Sequence, residues 1–303
     1  MSKLRERNRP RLCLWTKQQE ALRAGHVTTR EPRGSLRRQS WESDFEELRT
    51  DRMPLKTVNR DPSTKRTKKE ETKVTRRLHK ITAEMQTLID YALDNCFDDD
   101  QVLCNAFNIS ITRRDIKTLA DCNWINDQII NFYLSLIVER SQPDERPKVF
   151  AFNTLFYPKL MSSGYAALER WTKAVDLFQN DVILIPVHSG CHWSLATICP
   201  QEKTIRYYDS QGRNDQTCLN NLKMYIEAEG KAKNKSVTRV GQWKLECAEN
   251  IPQQVNFYDC GMFTLRYAEH VSRKCKMSFK QKDMPYYRRR MMYEIMTRTL
   301  ISP

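Results

Sequence analysis

The chain has 303 residues, room for one domain of about 200 residues plus a sizeable extension. Its 51 Lys and Arg outnumber 37 Asp and Glu, but residues 1–77 hold 22 against 11 and leave a near balance of 29 against 26 for the remainder. The basicity therefore belongs to the N-terminal segment. No run is apolar enough to span a membrane, and Met1-Ser2-Lys3-Leu4-Arg5-Glu6-Arg7 lacks the apolar core of a signal peptide. Ten cysteines occur without a C-x-x-C pair or a zinc-finger spacing, so no metal site or cofactor is expected. Free thiols in a reducing compartment, cytosolic or nuclear, are the expectation.

Residues 1–78 are rich in Arg, Lys, Thr, Ser and Glu without a sustained apolar period, which predicts a mostly disordered basic extension. The clusters Arg37-Arg38, Lys65-Arg66-Thr67-Lys68-Lys69 and Arg76-Arg77 suit a nuclear import receptor or an electrostatic tether to acidic partners. Few aromatics are interleaved, so a nucleic-acid stacking surface is not expected. An ordered domain over 79–303 is predicted to begin with Ile81, Met85, Leu88, Ile89 and Ala92 at helical spacing. Ile109-Ser110-Ile111 reads as a short extended piece, and Thr112 as the N-cap of a helix from Arg113 to Leu119. Ile129, Ile130, Tyr133, Leu134, Leu136 and Ile137 form a wide apolar helical face, and a short helix is expected across Tyr165 to Trp171.

Val182 to Val187 is a continuous apolar run, the mark of a central strand covered on both faces, with His192–Cys199 and Thr204–Tyr208 as its expected neighbours. Leu219, Leu222, Tyr225 and Ile226 predict a helix stopped by Gly230, and 243–247 an edge strand. Cys260, Phe263, Thr264, Tyr267, Ala268 and Val271 keep a 3–4 spacing, and a final helix carries Pro285 in its first turn. A sheet between helices makes the expected class α+β.

The chemistry-bearing stretch is Pro252 to Phe263. A thiol at a helix start gains from the positive end of the helix dipole and from nearby backbone N–H groups that can serve an oxyanion, and Gln254 could add a side-chain N–H. A buried structural cysteine fits the same residues. Of the five histidines, His270 lies ten residues along the Cys260 helix, about 15 Å away and out of reach. His188 and His192 end strand candidates, and Asp209 follows the strand after His192, placed to orient an imidazole. Cys191, adjacent to His192 on a pleated strand, is a poor rival. Ten cysteines and five histidines also allow such a set by chance.

Six blocks then occur in order: Asn123-Trp124-Ile125-Asn126-Asp127 through Tyr133, Phe152-Asn153-Thr154, Arg170-Trp171-Thr172-Lys173, His192-Trp193-Ser194-Leu195, Tyr207-Tyr208-Asp209-Ser210, and Ile251-Pro252-Gln253-Gln254 with Asp259-Cys260-Gly261-Met262-Phe263. Together they resemble the sentrin/SUMO-specific proteases, the Ulp/SENP family of cysteine peptidases, over roughly 79–303. The resemblance implies a papain-like cysteine protease fold, a central mixed sheet flanked by helices. It also implies Cys260 as nucleophile, His192 as general base and acid, Asp209 as the histidine's partner and Gln254 in the oxyanion hole. Substrates would be SUMO-type modifiers ending in Gly-Gly, whether precursors or SUMO-conjugated proteins. Trp124 and Trp193 would wall the Gly-Gly tail, with His188 beside the tunnel, while Asp127, Arg170 and Trp171 match the modifier-binding face. Localisation would be nuclear, with the nuclear envelope or a cytoplasmic fraction as variants. One departure is central: where relatives carry a small Gly-Ser pair before Asp-Cys, this chain has Phe257-Tyr258. Bulky aromatics there could narrow the mouth of the site, or hold a backbone conformation that only glycine adopts cheaply. That departure keeps a weakly active or inactive SUMO-binding module as an alternative, beside a protease for a Nedd-type modifier. A nucleic-acid-binding protein, motivated by the basic segment, is a further rival.

Overall fold

The computed structural model describes residues 78–141, 147–234 and 242–301. From Lys80 onward these fall in one unit, and the second unit, residues 26–79, contributes only Leu78 and His79. The basic clusters, and the disorder expected around them, lie outside the described residues.

Helix α1 (Ala83–Leu93) starts where the apolar period begins, with the Thr82 hydroxyl accepting from the Met85 N–H and Met85, Ile89 and Ala92 buried. Strands β1 (Val102–Ala106) and β2 (Ile109–Thr112) form an antiparallel hairpin, of which only the second strand was expected. Thr112 and Asp115 then build the predicted capping box on α2 (Arg113–Lys117). That helix ends earlier than expected because Thr118 and Leu119 bond to carbonyls three residues back, tightening the last turn. Helix α3 (Asp127–Arg140) is capped by the Asn126 side chain and buries residues over most of its length.

The main sheet runs β3 (Val149–Ala151), β4 (Val182–Ser189), β5 (His192–Cys199), β6 (Thr204–Tyr208) and β7 (Lys244–Cys247), side by side in that order. The two outer pairings are parallel and the two inner ones antiparallel, so the sheet is mixed as expected. The middle strand is β5, not the Val182–Val187 run. Thr204–Tyr208 lies between β5 and β7 and does not touch β4, which has the parallel β3 on its other side. A buried strand and its neighbour toward an edge are equally apolar when helices cover both faces, so hydropathy did not order them. Alternate residues Ile183, Ile185, Val187, Ala196, Ile198, Ile205 and Tyr207 share one core with α4 (Phe156–Ser163) and α5 (Gln216–Ala232). Helix α6 (Cys260–Ser272) packs on β5 and against α3, and α7 (Met284–Thr297) packs on α1 and carries Pro285 at its start.

Two local expectations are corrected. Residues 165–171 form two short 3₁₀ turns in place of a helix, Tyr165–Ala167 and Glu169–Trp171. Gly230 does not stop α5, which continues to Ala232. Gly230 is buried, and the Lys233 ammonium anchors the helix end by donating to the carbonyls of Thr172 and Lys173, at 3.0 and 2.9 Å. Such tertiary contacts outweigh the roughly 1 kcal/mol that glycine loses against alanine in a helix.

The start of α6 shows how tightly the two parts meet. A Cβ on Gly261 would stand 2.3 Å from Ile125 Cγ1 and 3.3 Å from Trp193 Cδ1, and Ile125 is only 2% exposed. Gly261→Ala is expected to destabilise the fold by about 1–3 kcal/mol, the usual effect of overpacking, measured by denaturant unfolding. An unchanged midpoint would show that Ile125 yields freely.

Candidate active site

Three elements converge on the thiol of Cys260. His192 opens β5 where the hairpin from β4 turns, paired in register with Ser189. Asp209 follows the last residue of β6, whose Tyr208 pairs with Leu195 of β5. This register brings His192 Nε2 to 2.9 Å from Asp209 Oδ2, with both side chains buried. The other Asp209 oxygen accepts from the Gln211 N–H at 2.6 Å and, more weakly, from the Arg213 N–H at 3.4 Å. Burial disfavours the Asp209 carboxylate, yet the imidazole and these amides outweigh it and hold its pKa below the ordinary value.

With Nε2 turned to Asp209, Nδ1 is the ring atom left for the thiol. It is buried and has no hydrogen-bond partner, and the Cys260 thiol is the neighbour that acts on the ring after Asp209. Burial pushes the imidazole toward neutrality, but the hydrogen bond to Asp209 and the nearby Cys260 thiol prevail and raise it to about 9. A ring that holds its proton at neutral pH can face a thiolate and later deliver that proton to a leaving group. Cys260 itself is buried at the first residue of α6, where free backbone N–H groups and the helix dipole favour negative charge. The structure thus brings His192, Asp209 and Cys260 together. His270 sits apart, with its Nδ1 2.9 Å from the Arg266 carbonyl.

The turn leading into Cys260 is held by a residue that the sequence reading gave no role. The Arg288 guanidinium on α7 bonds the Asp259 carboxylate at 2.8–2.9 Å, both side chains being almost fully buried. It also donates to the carbonyls of Tyr258 and Asn123 at 3.1 and 2.9 Å, and to those of Ala120 and Thr118 at 3.2 and 3.4 Å. Asp259 further accepts from Asn256 Nδ2 at 2.7 Å and Gln281 Nε2 at 2.6 Å. No spacing signal could have paired Arg288 with Asp259, because they lie 29 residues apart on different elements.

Gln254 is engaged locally. Its Oε1 accepts from the Ser210 hydroxyl and its Nε2 donates to the Asn256 carbonyl, both at 2.6 Å, and its backbone N–H donates to the Ser210 carbonyl. One of the two amide hydrogens is thereby used. Phe257 does not carry the backbone cost expected of it, since neither it nor Tyr258 has a positive φ. It points outward at 85% exposure and so does not close the mouth of the site. Tyr258 is half-buried, its ring 5.8 Å from the Arg288 guanidinium, and the nearby Cys122 thiol raises its phenol pKa.

Trp124, Asp127, His188 and Trp193 line one cavity of about 450 Å³ together with Leu155 and Cys191. Trp193 is buried at 7% exposure, Trp124 is open at 48%, and the His188 and Trp193 rings lie 4.2 Å apart at 32°. Burial and the nearby His192 lower the His188 pKa against the pull of Asp127. Arg170 lies elsewhere, in a separate hollow of about 360 Å³ with Glu169, Lys173 and Lys233. Trp171, half-buried, packs on the core 6.3 Å from Phe156. A larger hollow of about 930 Å³, between β6, β7 and the end of α6, contains none of these residues.

The sequence model of the Ulp1 protease family, C-terminal catalytic domain, matches residues 123–300, more than half of the chain. The chain belongs to the Ulp1 protease family. It is 45% identical over 199 residues to a sentrin-specific protease of Caenorhabditis elegans, covering 65% of this chain and 29% of that protein. It is 40% identical over 235 residues to sentrin-specific protease 2 of Homo sapiens, covering 77% and 40%. The chain therefore spans less than half the length of these curated relatives. Among solved structures, the C-terminal Ulp1 protease domain in complex with Smt3, the yeast ortholog of SUMO, superposes with a TM-score of 0.64 at 32% identity, covering 71% of this chain and 95% of that one.

Two outcomes are expected. Arg288→Met leaves the Asp259 charge buried and unpaired and should destabilise the fold by about 3–5 kcal/mol in denaturant unfolding, with Asp259→Asn in the same chain recovering part of it. The His192 pKa is raised from 6.5 to about 9 in the fold, so the stability it contributes is complete below pH 6.5 and is lost as pH rises through about 9. Thermal unfolding across pH 6–10 should show this decline in the wild type and a flatter profile in Asp209→Asn.

Proposed function

We propose that this chain is a thiol protease that hydrolyses the bond after the C-terminal Gly-Gly of a SUMO-type modifier, in precursors and in conjugates to substrate lysines. The observation that carries the reading is His192 held between Asp209 and the Cys260 helix start in a member of the Ulp1 family. In this scheme the Cys260 thiolate attacks the glycine carbonyl, and His192 gives its Nδ1 proton to the departing amine. His192 then takes a proton from the water that hydrolyses the thioester. Asp209 fixes the ring and stabilises the imidazolium. The Cys260 backbone N–H and the second Gln254 amide hydrogen serve the oxyanion.

The cavity between Trp124 and Trp193 suits a tail without side chains, since two indoles admit glycine and exclude bulkier residues. His188 borders that slot. Asp127 at the start of α3, exposed Arg170 and half-buried Trp171 are assigned to the modifier-binding face. The basic clusters between residues 37 and 77 support recognition by an import receptor and a nuclear location. Imaging the tagged full chain with and without Lys65, Arg66, Lys68 and Lys69 changed to Ala tests that point, and an unaltered distribution would argue against it.

The deciding experiment treats the full chain with SUMO and ubiquitin bearing C-terminal electrophiles. Covalent labelling by SUMO, absent in Cys260→Ser and weak or absent with ubiquitin, is the expected outcome. A folded wild-type chain that SUMO leaves unlabelled would overturn the reading.

A further inference from the structure

The loop that feeds Cys260 alternates its side chains. Gln254, Asn256 and Tyr258 are half-buried, whereas Gln253, Val255 and Phe257 face solvent. Val255 and Phe257, at 83% and 85%, are the two most exposed large apolar side chains among the described residues. Their exposure does not come from a loose loop. The Val255 N–H donates to Gln281 Oε1 at 3.0 Å, and Asn256 Oδ1 accepts from the N–H groups of Tyr258 and Asp259 at 3.3 and 3.1 Å. The Tyr267 hydroxyl donates to the Pro252 carbonyl, and Gln254 is fastened to Ser210 at both backbone and side chain. A loop fixed at this many points holds two apolar groups in water beside the reacting thiol.

Their position relative to the cavity gives them a use. The 450 Å³ cavity is lined from residues 124–127, 154–158 and 188–193, and by none from 209–213 or 252–258. The Val255–Phe257 loop is bonded instead to the Ser210 side of the site and runs into Cys260, while Gly261, the next residue, lies against Ile125 and Trp193 of the cavity lining. If the tail of the modifier fills the cavity, whatever leaves from the scissile bond departs past this loop. A side chain 85% exposed has no enclosing walls, so it suits the face of a folded protein better than a thin tail threading a slot.

We propose that Val255 and Phe257 form a docking surface for the acceptor protein of a conjugate, touching apolar surface next to its modified lysine and selecting among conjugates. This rests on the protease reading above, which supplies the direction of the cavity.

The test uses the full chain, wild type and Val255→Ser/Phe257→Ser, on three SUMO substrates: a C-terminal aminocoumarin amide, an unprocessed precursor, and an isopeptide conjugate to a folded protein. The double variant should raise KM for the conjugate about tenfold while aminocoumarin turnover, precursor cleavage and Tm stay within about twofold of wild type or unchanged. In the Cys260→Ala background, the conjugate should bind about tenfold tighter than free SUMO, and the double variant should erase that difference. Equal loss on all three substrates would overturn the proposal by making the loop part of the chemistry. Loss confined to the precursor, or no loss on the conjugate, would overturn it as well. Wild type failing on the aminocoumarin amide would count against the protease reading alone, because the binding comparison does not depend on turnover.

Discussion

Everything around the thiol hangs on the buried pair of Arg288 and Asp259. A guanidinium has five donors, and here they reach a carboxylate and four backbone carbonyls from two loops. One side of this fan is the turn before Cys260 and the other is the segment that ends at Asn123, directly before Trp124. Desolvating both charges is costly, and that cost is offset only because every oxygen around the guanidinium is placed to receive it. Lysine, a point charge with three donors, could not span the same set. The pair thus fixes the distance between the thiol and one wall of the neighbouring cavity, and it does so from the last helix of the chain.

The second constraint is the pleated register of β4, β5 and β6. A tight connection returns β4 to β5 at His192, and the β5–β6 pairing stops at Leu195 and Tyr208, which leaves Asp209 just beyond the ladder with its backbone free to curl. The curl directs the N–H groups of Gln211 and Arg213 onto the carboxylate. Asp209 is therefore kept ionised by imidazole and amides against burial, and the imidazole is kept protonated by carboxylate and thiol against burial. Each charge is stable because the other is present, and the sheet supplies the spacing.

Much of this was legible in the residues. The helix starting at Cys260 showed in its 3–4 spacing, and the strand identities of His192–Cys199 and Thr204–Tyr208 in their apolar runs, so the histidine and aspartate could be picked by adjacency. What escaped had specific causes. Strand β1 went unseen because its hairpin turns on Phe107 and Asn108, both left-handed at φ 55° and 57°, where a glycine would have signalled the turn. The Phe107 ring packs edge-on to Phe132 at 5.3 Å, a tertiary contact that holds an unfavourable local choice. Gly230 misled in the opposite sense, since burial carried the helix through a residue that often ends one. The opposed worry about Phe257 arose from comparison with a glycine, and the backbone there turns out to suit any L-residue.

Gly261 has a consequence beyond its packing. Ile125 lies so near its backbone that no Cβ fits there, with Trp193 close behind, and both side chains line the cavity. The wall that these two side chains form therefore sits close against the first turn of the helix that begins at Cys260. One close-packed contact thus serves both as a wall of the cavity and as the seat of the helix that carries the thiol.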